Sequence, residues 1–97
     1  MRPYSEIHPV EGLIIREFKH DVSNEDLEWH MDKNNRIITV LEGHGWMLQL
    51  ETGLPFDLSR GKSYKILKES WHRIIKGSDN LKILINEKDC QIKQGLK

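Results

Sequence analysis

The sequence predicts an all-β chain of about eight short antiparallel strands, and three observations carry that expectation. Runs rich in isoleucine, leucine, valine and threonine recur along the chain, each short enough for a strand and rich in the branched residues that suit a pleated surface. Clusters of Gly, Asn, Asp and Ser separate them at intervals of roughly eight to twelve residues. No window sustains apolar residues at three- and four-residue spacing, so no helix longer than about two turns is expected.

Residues 1–12 contain Pro3 and Pro9 and show no clear period, so they are expected as an extended arm along a sheet edge. Leu13–Phe18 (LIIREF) is the first strand. His20 to Asp26 (HDVSNED) is a polar turn cluster; Ser23 with Asp26 resembles a helix cap, but no apolar helical stripe follows, and no helix is expected there. Leu27–Asp32 alternates and reads as a second strand, ending in a turn at Lys33, Asn34 and Asn35. Arg36–Glu42 is the third strand, and Gly43-His44-Gly45 is read as the tight hairpin that returns the chain into Trp46–Glu51. Phe56–Leu58, Tyr64–Leu67, Trp71–Lys76 and Leu81–Ile85 complete the set, with Leu81, Ile83 and Ile85 on one face. The polar stretch 87–97 is expected to fray.

With 97 residues, the chain has room for one domain, residues 1–97, with a small core. A core of that size gains from covering an apolar sheet face with a second copy, so a homodimer is expected. Its 15 basic residues balance 15 acidic ones, which removes the broad positive field that nucleic acid or an anionic membrane surface would need. The single cysteine, Cys90, cannot form an internal disulfide, residues 1–10 lack the apolar core of a secretory signal, and no run of eighteen apolar residues occurs. A reducing cytoplasm, with neither nucleic-acid nor membrane partners, is the expected setting.

Two stretches carry the chemistry: Trp29 to Gly43 (WHMDKNNRIITVLEG) and Gly61 to Lys76 (GKSYKILKESWHRIIK). Their spacing resembles the cupin superfamily, small double-stranded β-helix (jelly-roll) barrels whose first motif is G-x5-H-x-H-x3/4-E-x6-G and whose second is G-x5-P-x-G-x2-H-x3-N. His30, Gly43, Gly61 and His72 match outright. Asn24 replaces the first glycine, Asp32 the second histidine and Arg36 the glutamate; in the second motif Leu67, Glu69 and Lys76 replace the proline, the glycine and the asparagine. The resemblance runs in register from about Leu13 to Ile85 and implies a cupin-like small β-barrel with its site inside.

In metal-binding cupins the first motif's histidines and glutamate and the second motif's histidine hold a divalent ion, commonly iron, manganese, nickel or zinc. Carried over residue by residue, the resemblance leaves His30, Asp32 and His72 as metal ligands, two imidazoles and a carboxylate, the set that non-haem iron oxygenases use to keep open positions for substrate and oxygen. Arg36 brings the wrong charge to the glutamate position, so the metal is expected to be weakly held or absent in the purified protein. Arg36 and His72 are also candidate hooks for a small ligand. Lys82 stands where 2-oxoglutarate oxygenases, built on the same barrel, often place a basic residue, but the alternation of Leu81, Ile83 and Ile85 turns it outward.

The residues support two orientations for the histidine strand. Leu27, Trp29 and Met31 form its apolar set, which would leave His30 and Asp32 on the opposite, solvated face; the resemblance places them inside. His72 shares its face with Ile74 and is expected to point inward. Arg36 has an ordinary alternative as a salt bridge to Asp32 or Glu28. Trp29, Trp46 and Trp71 are read as core or dimer anchors, and His20 and His44 as exposed. Three function classes follow: a small-ligand-binding cupin that holds a divalent metal, a metal-free structural or assembly protein, and a minimal non-haem iron oxygenase-like enzyme.

Overall fold

The computed structural model describes residues 2–88. Eight strands occur among them: β1 (Tyr4–Val10), β2 (Leu13–Phe18), β3 (Arg36–Glu42), β4 (Met47–Leu50), β5 (Phe56–Asp57), β6 (Ser63–Ile66), β7 (His72–Ile75) and β8 (Leu81–Asn86). They form a five-stranded sheet in the order β1-β2-β8-β3-β6 and a three-stranded sheet in the order β5-β4-β7, antiparallel throughout. The sheets stay separate rather than closing into the expected barrel, and pack face to face as a jelly roll. No helix among the described residues is long and apolar enough to cross a membrane.

The period-two pattern decides which side chains meet between the sheets. Ile14 and Phe18 of β2, Ile38 and Val40 of β3, and Leu81, Ile83 and Ile85 of β8 face Leu48 of β4 across a core that also contains Trp46 and Leu58. Trp46 is completely buried, and its indole N–H donates to the Asp79 carbonyl at 2.7 Å, so its one polar atom is satisfied. On the outer side of the large sheet, Ile7 registers with Ile15 and Ile15 with Leu84, making an apolar row outside the core.

Within the extended arm expected along a sheet edge, Tyr4–Val10 is an edge strand paired to β2, with an irregular register between Ile7 and Val10, where Pro9 can give no ladder hydrogen bond. Two expectations about the chain path need correction. Leu27–Asp32 is not a strand; a 3-10 turn at Asn24–Asp26 leads into it, and its ladder contact is a single bridge, His30 to His72. Gly43-His44-Gly45 is not a hairpin. Both edges of β3 are occupied by β6 and β8, so the chain crosses to the other sheet to form β4.

The glycines behind the sequence resemblance have a structural reason. Gly43 has φ +134, and a Cβ there would stand 2.9 Å from Leu81 Cδ1, so the crossing excludes a side chain. Glu69, which stands at a glycine position of the second motif, has φ +60, the left-handed region a glycine would enter without strain.

Of the polar tail 87–97, Glu87 and Lys88 are described; Cys90 lies outside the described residues. Glu87 is tied in, since its backbone N–H donates to the Gly12 carbonyl at 2.9 Å.

Candidate metal centre

The single bridge between residue 30 and β7 builds the centre. His30 N–H donates to the His72 carbonyl at 3.0 Å and His72 N–H returns a bond to His30 at 2.9 Å, which makes the two residues directly opposed neighbours on one face. Their rings lie 4.3 Å apart between centroids, at 61°. Asp32, two residues on, falls on the same face. The segment is held there by the Asp32 carbonyl, which accepts Glu69 N–H at 2.7 Å, and by the Asn35 side chain, which accepts Lys68 N–H at 2.8 Å. Asp32 therefore turns towards the interior, while His30 sits at the open edge of the centre, its ring against the buried His72 and its side chain half exposed. Trp29 and Met31 turn out, 39% and 41% exposed, against their expected place as the strand's apolar set. The Arg73 guanidinium stands over the Trp29 ring at 4.9 Å, so that tryptophan is not a bare apolar surface.

One ligand atom from each of His30, Asp32 and His72 lies within 4.8 Å of the others. His72 is the rigid member, its side chain 4% exposed, while the His30 side chain is 49% exposed. Each imidazole has its Nδ1 against a carbonyl oxygen: His30 against Glu28 at 3.1 Å and His72 against Ser70 at 3.0 Å. A carbonyl only accepts, so Nδ1 carries the donated proton in both rings and the Nε2 atoms face Asp32.

That orientation leaves an unresolved polar contact which a cation would satisfy. His72 Nε2 lies 3.2 Å from Asp32 Oδ2, but Oδ2 is buried and has no aligned hydrogen-bond partner among the described residues. With Nδ1 protonated, a neutral His72 sets a lone pair against a carboxylate oxygen. The contact calls for a positive charge between them, either a proton or a metal ion. Two donors about 2.1 Å from a common ion and at right angles to it are about 3.0 Å apart, close to the His72–Asp32 spacing. His30 Nε2 is 3.9 Å from Asp32 Oδ1 and would have to swing inward from its contact with the Glu28 carbonyl. The donor set thus fits a divalent transition metal in type and nearly in spacing.

Arg36 opens β3 on the inward face that it shares with Ile38 and Val40 and is only 16% exposed. Two carboxylates engage it: Nη1 lies 3.3 Å from Asp32 Oδ1, and Nε donates to Glu87 Oε2 at 2.8 Å. The expected pairing with Asp32 is present; Glu28 is not the second partner. Glu87, assigned to a fraying tail on sequence, fills that place, and the odd-numbered face of β8 (81, 83, 85) extends directly to it. Lys82 is absent from the site and lies 3.8 Å from Glu42.

Burial holds His30 below its ordinary pKa, helped by the charges of His72 and Arg36 and opposed by the Glu28 carbonyl and Asp32. For Asp32 burial acts upward, but His72, where its Nε2 carries a proton towards the carboxylate, and the Arg36 charge outweigh it and leave the carboxyl below its ordinary value. Both groups therefore bind protons more readily when unfolded, so both make stability fall as pH falls. In chelator, thermal melts are expected to show stability lost first below His30's ordinary 6.5, then again below Asp32's ordinary 3.8 as pH drops through the lowered folded value. A His30→Gln, Asp32→Asn double variant with the same pH profile as wild type would contradict this assignment.

The centre opens on a cavity of about 470 Å³ between the sheets. Its walls include Ile38, Leu48, Ile66, Ile83 and Ile85; Arg36 and the three candidate ligands line it as well, and so does Arg16.

No protein-family model and no curated protein matches the sequence. Solved structures match the fold. An RmlC-like cupin with a double-stranded β-helix fold from Methanocaldococcus jannaschii superposes with TM-score 0.65 at 14% identity, covering 97% of this chain and 86% of that one. A cupin-2 domain protein from Shewanella frigidimarina gives 0.60 at 20% identity, covering 84% and 76%. The cobalt(II) form of HppE in complex with Tris buffer gives 0.67 at 20% identity, covering 89% of this chain and 54% of that one, so the present chain spans about half of HppE. The chain has the cupin fold, with a His–Asp–His group that can hold a metal.

Proposed function

We propose that this cupin-fold chain binds a small molecule in the cavity between its sheets, beside one divalent transition metal held by His30, Asp32 and His72. The observation that carries the reading is the convergence of both histidine Nε2 atoms on a carboxylate whose Oδ2 is buried without a hydrogen-bond partner among the described residues. HppE, similar in fold, has been solved with cobalt(II) and with iron(II), which supports a metal of that class. Bound there, such an ion would supply Lewis acidity towards an oxygen-bearing ligand and, with three protein donors, keep positions open for it.

The chain's own residues divide the remaining work. His72 is the buried donor, pinned by the Ser70 carbonyl, and His30 is the half-exposed one on the solvent side, held by the Glu28 carbonyl. Arg36 holds Asp32 Oδ1, so a metal must compete with a guanidinium for that carboxylate. The apolar wall selects ligands with a hydrocarbon portion.

Titrating manganese(II), iron(II) and zinc(II) into tag-free, chelator-treated protein at pH 8 tests this. One equivalent is expected to bind, with affinity falling as the pH is lowered and protons compete for the imidazoles. No saturable binding of any of the three at millimolar metal would end the metal reading.

A further inference from the structure

Arg16 is a guanidinium in the wall of the same cavity, and the metal reading gives it no role. It lies on the inward face of β2 between Ile14 and Phe18, with its side chain 12% exposed. The Tyr4 ring lies 3.9 Å from Cζ and is itself packed edge-on against Phe18 at 5.3 Å, so the guanidinium plane is fixed from one side. Nε donates to Glu6 Oε2 at 2.8 Å. Glu6 is a shared partner, since Arg2 Nη1 and His8 Nε2 each lie 3.2 Å from its Oε1. One carboxylate therefore serves two guanidiniums, and that of Arg16 is nearly buried in the cavity wall. Besides Asp32, the acids on the cavity lining, Asp26 and Glu28, are exposed to water.

We propose that Arg16 anchors an anionic head, a carboxylate or phosphoryl group, on the small molecule that the cavity takes. Arg16 pairs across the sheet with Ile83, and Arg36 lies one strand beyond β8 and four residues displaced from Val40, the partner of Ile83. Standard sheet spacings put about 16 Å between the two arginine backbones. The ligand so defined has an anionic end at Arg16, an apolar middle against Ile38, Ile83 and Ile85, and an oxygen-bearing end near His72. Two parallel N–H donors match an oxyanion bidentately, which a lysine cannot do. This rests on the cavity being the ligand site, but the anchor itself needs no metal.

The bland alternative is a cross-strand ion pair that only fastens β1 to β2, because Glu6 and Arg16 are register partners. Calorimetric titration of hexanoate, butylphosphonate and the neutral hexanamide, with and without manganese(II), separates the two. At least one of the anions is expected to bind wild type, at least tenfold more weakly to Arg16→Gln, with intermediate affinity for Arg16→Lys, and hexanamide to bind no better than to Arg16→Gln. Glu6→Gln is expected to raise anion affinity severalfold, because it removes the competing carboxylate; a purely structural pair would lower stability without that gain. No anion binding to folded wild type, equal binding to Arg16→Gln, or binding lost with manganese but not with Arg16 would each overturn the proposal. Manganese titration of wild type and Arg16→Gln without anion reads the metal centre alone, so failure of the metal reading is seen separately.

Discussion

Replacing Arg36 by glutamine is expected to raise the affinity for manganese(II) or zinc(II) at least tenfold and to lower the stability of the metal-free protein. Two charges set the sign. The guanidinium stands 3.3 Å from Asp32 Oδ1, beside any ion that the carboxylate would hold. At an effective dielectric near 20, a unit charge about 7 Å from a divalent ion costs roughly 5 kcal/mol; solvent on the His30 side and side-chain relaxation reduce that. Each 1.4 kcal/mol that survives is about tenfold in affinity.

The metal-free protein responds in the opposite direction. Without Arg36, Asp32 and the partly buried Glu87 are two carboxylates without their shared cation, a loss of roughly 1 to 3 kcal/mol. The signature is a lower melting temperature in chelator and a larger rise on adding metal than wild type shows. Arg36→Glu supplies a further carboxylate where the cupin motif has its glutamate, and is expected to gain affinity also, less the repulsion from Glu87. An Arg36→Gln protein that binds metal no better than wild type would mean that His30, Asp32 and His72 do not act together on an ion.

His72→Ala is expected to abolish metal binding, in the Arg36→Gln background as well as in wild type, a loss of at least a hundredfold. His72 is the buried, pre-oriented donor at 3.2 Å from Asp32 Oδ2, and two remaining ligands, one of them half exposed, cannot close around an ion. The backbone bridge to His30 uses main-chain atoms, so the β-sheet signal in circular dichroism should persist. Stability should nonetheless drop by about 1 to 3 kcal/mol, because Asp32 Oδ2 stays buried beside an empty space. His30→Ala removes the exposed donor and should cost metal affinity with little loss of fold. Retained stoichiometric metal in His72→Ala would place the site elsewhere.

How far the sequence reached can be seen on individual strands. In β8 the alternation of Leu81, Ile83 and Ile85 stated the inward face, and all three are buried. His72 pointed inward with Ile74 for the same reason, and Gly43 and Gly61 marked positive-φ turns, φ +134 and +83. Glu87 was legible too, as the next odd residue after Leu81, Ile83 and Ile85, whereas LIIREF, apolar at consecutive positions, does not say which face Arg16 takes. A buried charge is acceptable once paired, as Arg16 is to Glu6 and Arg36 to Glu87.

By itself, then, the sequence determined an all-β jelly roll, the cupin spacing, and an inward His72, because regular strands write their burial into a period of two residues. The tertiary structure alone decided that the arm pairs with β2 as a strand, that β3 and β4 lie in different sheets, and that Asp32 turns inward with His30 at the mouth of the centre, against the apolar pattern of Trp29 and Met31. The physical reason is the same in each case. Pairing of a strand edge is a long-range choice among partners, and a segment held by one bridge takes its facing from the residue it meets, here His72, rather than from its own hydrophobic set.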